Sequence, residues 1–181
     1  IFNGPFGMML LGHLGAEIIK IEPPAGDRFR TLYMPPDAKE DAYEFMMVNT
    51  NKKSVVLNLK TKQGRELAHR LIAVSDVMVE NYKVGQLAKY GLDYDSLARI
   101  NPRLVYCSIT GFGQDGPYAA RAGYDFIVQG MGGLMSVTGE PDGAPGGGPQ
   151  KVGVAVADLF TGMYATVAVL ALYTNVTTRK Q

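Results

Sequence analysis

Cysteine is nearly absent. The single Cys107 in 181 residues excludes an internal disulfide framework and suits a reducing compartment. Histidine is almost as scarce. His13 and His69 stand on helical stretches without partners at ligand spacing, so neither a metal site nor a catalytic triad is expected. Charge of either sign is in little excess. A net of +1 argues against a broad nucleic-acid-binding face, and no nucleic-acid partner is expected. No basic-then-apolar leader and no internal repeat is visible, and both ends are expected to be cuts in a longer polypeptide. Long apolar runs are missing save one. Residues 154–173 have the length of a membrane span, but Asp158 interrupts them, and a mid-span carboxylate costs roughly 3 kcal/mol in a bilayer. No membrane partner is therefore expected, and this run reads as a buried helix in a large core.

What the sequence does contain is alternation. A composition 46% hydrophobic and 19% charged supplies a core for one domain or part of one. Residues 5–15 predict a helix and 17–22 ("EIIKIE") a strand, followed by a long polar loop over 25–41. A strand over 54–59 ("SVVLNL") precedes an amphipathic helix over 63–74, with Leu67, Leu71 and Val74 at helical spacing. The strand "DVMVE", short helices over 86–90 and 94–100, the strand "RLVYCSIT" and a helix over 124–136 follow. The loop "GEPDGAPGGGPQKVG" then leads into the final apolar helix. Strands alternating with helices predict an α/β fold with right-handed crossovers and a parallel sheet covered on both faces. In such sheets ligands gather at the carboxyl ends of strands.

"ITGFGQDGPY" spells G-x-G-x-x-G after a strand, as a dinucleotide fingerprint does. That fingerprint requires its third glycine to open a helix whose amino end holds the pyrophosphate. Here Pro117, Tyr118 and "AARAG" follow, so the stretch reads as a glycine turn, not as the mark of a dehydrogenase.

The most informative residue is Asp158, alone in "VGVAVADLFTGMYATVAVLALY". A carboxylate on an apolar helix is expensive unless satisfied. Near a helix amino end the dipole favours its ionised form, and such a group can act as a nucleophile in acyl transfer. A structural Asp bonded to backbone amides fits the same pattern. Asn81 follows "DVMVE" at a strand's carboxyl end, as a ligand-binding amide or a turn former. Lys60, Lys83, Lys89 and other lysines surround strand ends, and Arg28 and Arg30 lie in "GDRFR"; these can meet phosphates or form a solvated surface.

Several stretches occur together and in order: "GPFGMMLLGHLGAEIIKIEPPAGD", "NTNKKSVVLNLKTKQGRELAHRLI", "SDVMVENYKVGQLAKYGLDYDSL", "NPRLVYCSITGFGQDGPY", "GYDFIVQGMGGLMSVTGEPDG" and "VGVAVADLFTGMYA". Over nearly its whole length the chain resembles the class III CoA-transferase family, which includes formyl-CoA transferase, carnitine CoA-transferases and α-methylacyl-CoA racemase. The resemblance implies a Rossmann-like parallel sheet flanked by helices. Residues 1–181 would be the amino-terminal part of the large domain of an interlocked homodimer, with the carboxyl-terminal half absent. It implies a cytoplasmic enzyme, or one of the mitochondrial matrix in a eukaryote, whose partners are an acyl-CoA and a small carboxylic acid. Coenzyme A enters as a thioester substrate, and no permanent cofactor is implied.

Asp158 matches the family's catalytic aspartate. Leu57, Lys60, Asn81, Tyr82 and Lys89 match positions lining its CoA site, with Lys60 and Lys89 toward the nucleotide phosphates. Pro23 falls where relatives place a phosphate-binding arginine, so Arg28 or Arg30 is expected to compensate. Phe2 stands where formyl-CoA transferase has an active-site glutamine, which disfavours formate and oxalate as substrates. Tyr124 stands where the racemase has a histidine. A phenol titrating near pH 10 is a poor general base at neutrality, which favours transferase over racemase. A CoA-binding module without catalysis is the reading from another class.

Overall fold

The computed structural model describes residues 2–35 and 37–178. Helix α1 (Asn3–His13) leads into strand β1 (Ile18–Glu22). A 3-10 turn (Arg28–Thr31) and helix α2 (Tyr43–Val48) precede strand β2 (Lys52–Val56). Helix α3 (Lys62–Ala73), strand β3 (Val77–Glu80), a 3-10 turn (Ala88–Tyr90) and helix α4 (Tyr94–Ile100) follow. Strand β4 (Val105–Ser108), helix α5 (Asp125–Met131), a 3-10 turn (Leu134–Val137) and helix α6 (Val156–Thr178) complete the order.

Local chemistry sets most of these boundaries. Thr61 caps α3 by accepting from the Gly64 N–H at 3.1 Å, and Asp93 caps α4 by accepting from Ser96 at 3.3 Å. Asp27 caps the 3-10 turn that interrupts the expected loop over 25–41, accepting from the Phe29 N–H at 2.9 Å. Helix α2 was not foreseen. Phe45 and Val48 bury its inner side against Phe29 in a small satellite core, so tertiary packing sustains a helix too short to stand alone. The second strand begins at Lys52, two residues before the expected start. Its ladder ends where the Leu57 N–H donates to the Glu22 carbonyl at 2.9 Å and the chain turns into the α3 cap.

The strands are parallel, as expected, but among the described residues they form two pairs and not one continuous sheet. β1 pairs with β2, Ile18 opposite Lys52, and β3 pairs with β4, Val77 opposite Val105. Side chains alternate between two layers. Val105 and Cys107 face α1 and α6, packing with Leu11 and Val169. Met78 and Tyr106 face α3 and α4, packing with Ala68 and Leu97.

The expected burial of the final helix is met on one side only. Gly162, Ala165, Thr166 and Val169 are buried, whereas Phe160, Tyr164 (72% exposed) and Val167 face outward, because no element among the described residues packs there. By length and composition α6 could cross a membrane, and only a small share of its apolar stretch is buried.

Helices α1 and α6 run side by side in one direction. Phe2 meets Asp158, Gly7 meets Gly162 and Thr166, and Leu11 meets Val169. Glycine permits this approach. A Cβ on Gly7 would lie 2.6 Å from the Gly162 carbonyl oxygen, and one on Gly162 would lie 2.5 Å from that of Asn3. The Thr166 hydroxyl shares its proton between the carbonyls of Gly162 (2.9 Å) and Gly7 (3.1 Å). Because both clashes are with backbone, Gly162→Ala in the full-length protein is expected to cost ~1–3 kcal/mol by overpacking, read as a lowered denaturant midpoint. Wild-type stability of that variant would show that the helices are free to separate.

Candidate active site

Asp158 is the third residue of α6. Its backbone N–H is one of the four that a helix amino end leaves without an intrahelical acceptor. Ala155, just ahead of the helix, has no side-chain acceptor to cap it. The cap comes from another helix. One Asp125 oxygen, in the first turn of α5, accepts from the N–H groups of Ala157 at 2.7 Å and Asp158 at 3.2 Å. The other accepts from Gln129 Nε2 at 2.6 Å. Gln129, one turn along α5 and 2% exposed, accepts the Val152 N–H through its carbonyl at 2.9 Å. Asp125 and Gln129 thus clamp the stretch that carries Asp158.

The Asp158 carboxylate, part-buried, accepts the Phe2 N–H at 3.1 Å. Phe2 is the N-cap residue of α1. Positive partial charge from two helix amino ends therefore lies beside one carboxylate, where the sequence indicated one. The Phe2 ring is fixed edge-on against Phe29, with centroids 5.3 Å apart. The clamp was missed from sequence. Its signal was the i, i+4 spacing of Asp125 and Gln129 in "YDFIVQG".

The CoA positions implied by resemblance sit around the carboxyl ends of the strands. Leu57, just past β2, is buried in the main core with Leu87 and Leu97. Lys60 is exposed in the turn before α3. Asn81 follows β3 and donates from Nδ2 to the Ile109 carbonyl at 2.6 Å, tying the ends of β3 and β4 together. Tyr82 is half-exposed, and burial of part of its ring pushes its phenol up. The Lys89 ammonium lies 4.9 Å from the Tyr90 ring centre. Asn81 and Tyr82 line a cavity of about 320 Å³ that neither lysine reaches. A second cavity, of about 430 Å³, opens beside the ends of β3 and β4, among Lys83, Tyr94, Ser108 and Gln114. Asp158 lines neither cavity.

Arg28 and Arg30 part company. Arg28 is exposed in the 3-10 turn, open to an anion. Arg30 is engaged in structure: its guanidinium pairs with Glu22 at 2.7 Å and Asp41 at 2.5 Å and stacks 4.2 Å above Phe45. Tyr124 is the N-cap residue of α5, 66% exposed, next to Asp125. The glycine stretch after β4 opens no helix. Gly113 and Gly116 hold positive φ, Gly111 packs on Gly123, and the next helix starts at Asp125. That geometry removes the dinucleotide reading.

A part-buried lysine completes the electrostatics. Lys52 donates to the carbonyls of Pro5 (2.8 Å) and Val48 (2.7 Å) and to Asn49 Oδ1 (2.9 Å), linking α1, α2 and β2. Burial pushes its ammonium down to about 7.

Comparisons with known proteins place the chain in a family. The family described as CoA-transferase family III matches residues 1–180. The chain belongs to CoA-transferase family III. It is 49% identical over 177 residues to a succinate–glutarate CoA-transferase of Agrobacterium fabrum, covering 94% of this chain and 43% of that protein. It is 43% identical over 182 residues to an acetyl-CoA:oxalate CoA-transferase of Acetobacter aceti, covering 99% and 46%. The crystal structure of a CAIB/BAIF family protein from Brucella suis superposes with a TM-score of 0.92 at 49% identity, covering all of this chain and 48% of that one. The chain thus spans less than half the length of these relatives.

Asp125→Ala orphans two helix donors, so it is expected to cost about 1–2 kcal/mol and to speed hydrogen exchange at Ala157 and Asp158; unchanged exchange there would contradict the clamp. For Glu22, the Arg30 guanidinium first, with help from Ser54 and the Asp27 N–H, holds the carboxyl at about 2, against an ordinary 4.5. A depressed folded-state value stabilises fully above the unfolded value and is lost as pH falls. Stability should therefore decline from pH 4.5 toward 2. Glu22→Gln should flatten that limb of an acid titration, and an unaltered limb would refute the assignment.

Proposed function

We propose that the full-length protein is an acyl-CoA:carboxylate CoA-transferase in which Asp158 is the nucleophile. The observation that carries this is the position of the Asp158 carboxylate. It sits at the meeting point of two helix amino ends, with its backbone clamped by Asp125.

In the proposed cycle an Asp158 oxygen attacks the thioester carbonyl carbon of the donor. The C–S bond breaks, coenzyme A leaves as thiolate, and an aspartyl–acyl mixed anhydride remains. The thiolate then attacks the aspartyl carbonyl, forming an Asp158–CoA thioester and releasing the donor carboxylate. The acceptor carboxylate attacks that thioester and the two steps run in reverse. This replaces one difficult exchange by several easier ones. The Phe2 N–H at the start of α1, already directed at the Asp158 carboxylate, is suited to stabilising an oxyanion on the aspartyl carbonyl. The thioester chain would run toward Leu57, Asn81 and Tyr82, with Lys60, Lys89 and the exposed Arg28 taking its phosphates as point charges or bidentate donors. Arg30, already paired twice, is the weaker choice.

The relatives' names support succinyl-CoA as donor and a dicarboxylate such as glutarate as acceptor. A cytoplasmic, interlocked homodimer belongs to the same proposal. Tyr124 in place of a histidine disfavours proton transfer at the α-carbon.

The test uses full-length protein incubated with succinyl-CoA, followed by peptide mass analysis. A hydroxylamine-sensitive adduct on the Asp158 peptide, absent in Asp158→Asn, is expected. Turnover of succinyl-CoA and glutarate by Asp158→Asn at the wild-type rate would overturn the reading.

A further inference from the structure

Helix α1 presents the Phe2 N–H to Asp158 but does little to fix its own start. Among the described residues Phe2 makes no side-chain cap bond, and the first turn holds no acidic residue. Asn3 turns its Oδ1 only to the adjacent Gly4 N–H, at 2.7 Å. The grip comes from outside, at two points. The Phe29 ring holds the Phe2 ring, with centroids 5.3 Å apart. The Lys52 ammonium holds the carbonyl of Pro5, the third residue of α1, at 2.8 Å.

An ammonium has three donors and no acceptor. Lys52 engages all three: on Pro5, on the Val48 carbonyl at 2.7 Å and on Asn49 Oδ1 at 2.9 Å. Asn49 is itself aimed, because its Nδ2 donates to the Phe45 carbonyl at 2.8 Å. Val48 is the last residue of α2 and Asn49 its C-cap, so two of these bonds cap a helix carboxyl end, where a cation is favoured. The third bond is different. Pro5 lies in the first turn of α1, where the helix dipole disfavours a cation, and Lys52 is part-buried. Capping α2 does not require that bond.

We propose that Lys52 is a positioning residue for the transfer reaction, tying α1 to α2 so that the Phe2 N–H stays on the Asp158 carboxylate. Phe29, Phe45 and Val48 share one small core, with Phe2 packed against it. Lys52 and Phe29 therefore hold the start of α1 to a single body. With every donor engaged, Lys52 has none left for substrate, and its influence runs through Phe2. Charge develops on the aspartyl carbonyl during acyl transfer, so a donor held in place there lowers the barrier more than it aids binding. That consequence rests on Asp158 being the nucleophile; the placement of Phe2 does not.

The test is Lys52→Met in the full-length protein, assayed with succinyl-CoA and glutarate. Methionine keeps most of the stem and removes all three donors. A fall in kcat of about 10–100-fold is expected, with KM for succinyl-CoA changed by less than about threefold. Hydrogen exchange reads the placement without the chemistry. The Phe2 amide is expected to exchange at least about tenfold faster, while the Ala157 and Asp158 amides, held by Asp125, keep their rates. Asn49→Ala removes one acceptor and leaves the Pro5 bond, and serves if Lys52→Met does not fold; the same split is expected at about 2–10-fold. In whichever variant folds, a wild-type kcat or a wild-type exchange rate at Phe2 would overturn the proposal. Wild-type turnover by Asp158→Asn would instead remove the nucleophile reading, and exchange at Phe2 alone would then decide whether Lys52 positions α1.

Discussion

The site depends on how closely two helices can approach. α1 and α6 meet at Gly7 and Gly162, where a single added Cβ would strike backbone. Backbone contact of this kind fixes the axial register as well as the distance. That register brings the start of α1 level with the first turn of α6, so the Phe2 N–H reaches the Asp158 carboxylate. Thr166 locks the same crossing from within, with its hydroxyl directed at carbonyls of both helices. A pair of larger residues would spread the helices and take one helix end away from the carboxylate.

The second support is borrowed. An amino end preceded by alanine has no cap of its own, and α5 provides one through Asp125. Gln129 then holds that carboxylate in place from a fully buried position. The nucleophile proposed here is therefore positioned by three helices that are remote in sequence. What lies around it is unfinished in this chain: one side of α6 is bare, and the sheet stands in two halves. Both features fit a polypeptide whose relatives are more than twice as long.

Much of this was legible in the sequence. The helix–strand alternation, the parallel pairing and the place of Asp158 near the amino end of the last helix follow from apolar periodicity and from one charge in an apolar run. α4 falls where its apolar spacing and the preceding Asp93 put it. The rest was hidden for physical reasons. α2 exists because Phe45 and Val48 find Phe29, a contact that local propensity does not encode. The Asp125 cap acts across 32 residues, so no local capping signal announces it. Arg28 and Arg30 look equivalent in "GDRFR"; only the fold shows that Arg30 is spent on Glu22 and Asp41. The apolar composition of α6 implied packing on every side, but among the described residues only one side is covered.

The central claim is spatial: the carboxylate at the two helix ends is where the thioester carbon must lie. A crystal structure of the full-length protein with an unreactive acyl-CoA analogue tests this most directly. The account predicts the carbonyl carbon of the analogue about 3–3.5 Å from an Asp158 oxygen, in line for attack. An analogue bound with its carbonyl in the cavity beside Tyr94 and Ser108, out of reach of Asp158, would contradict it.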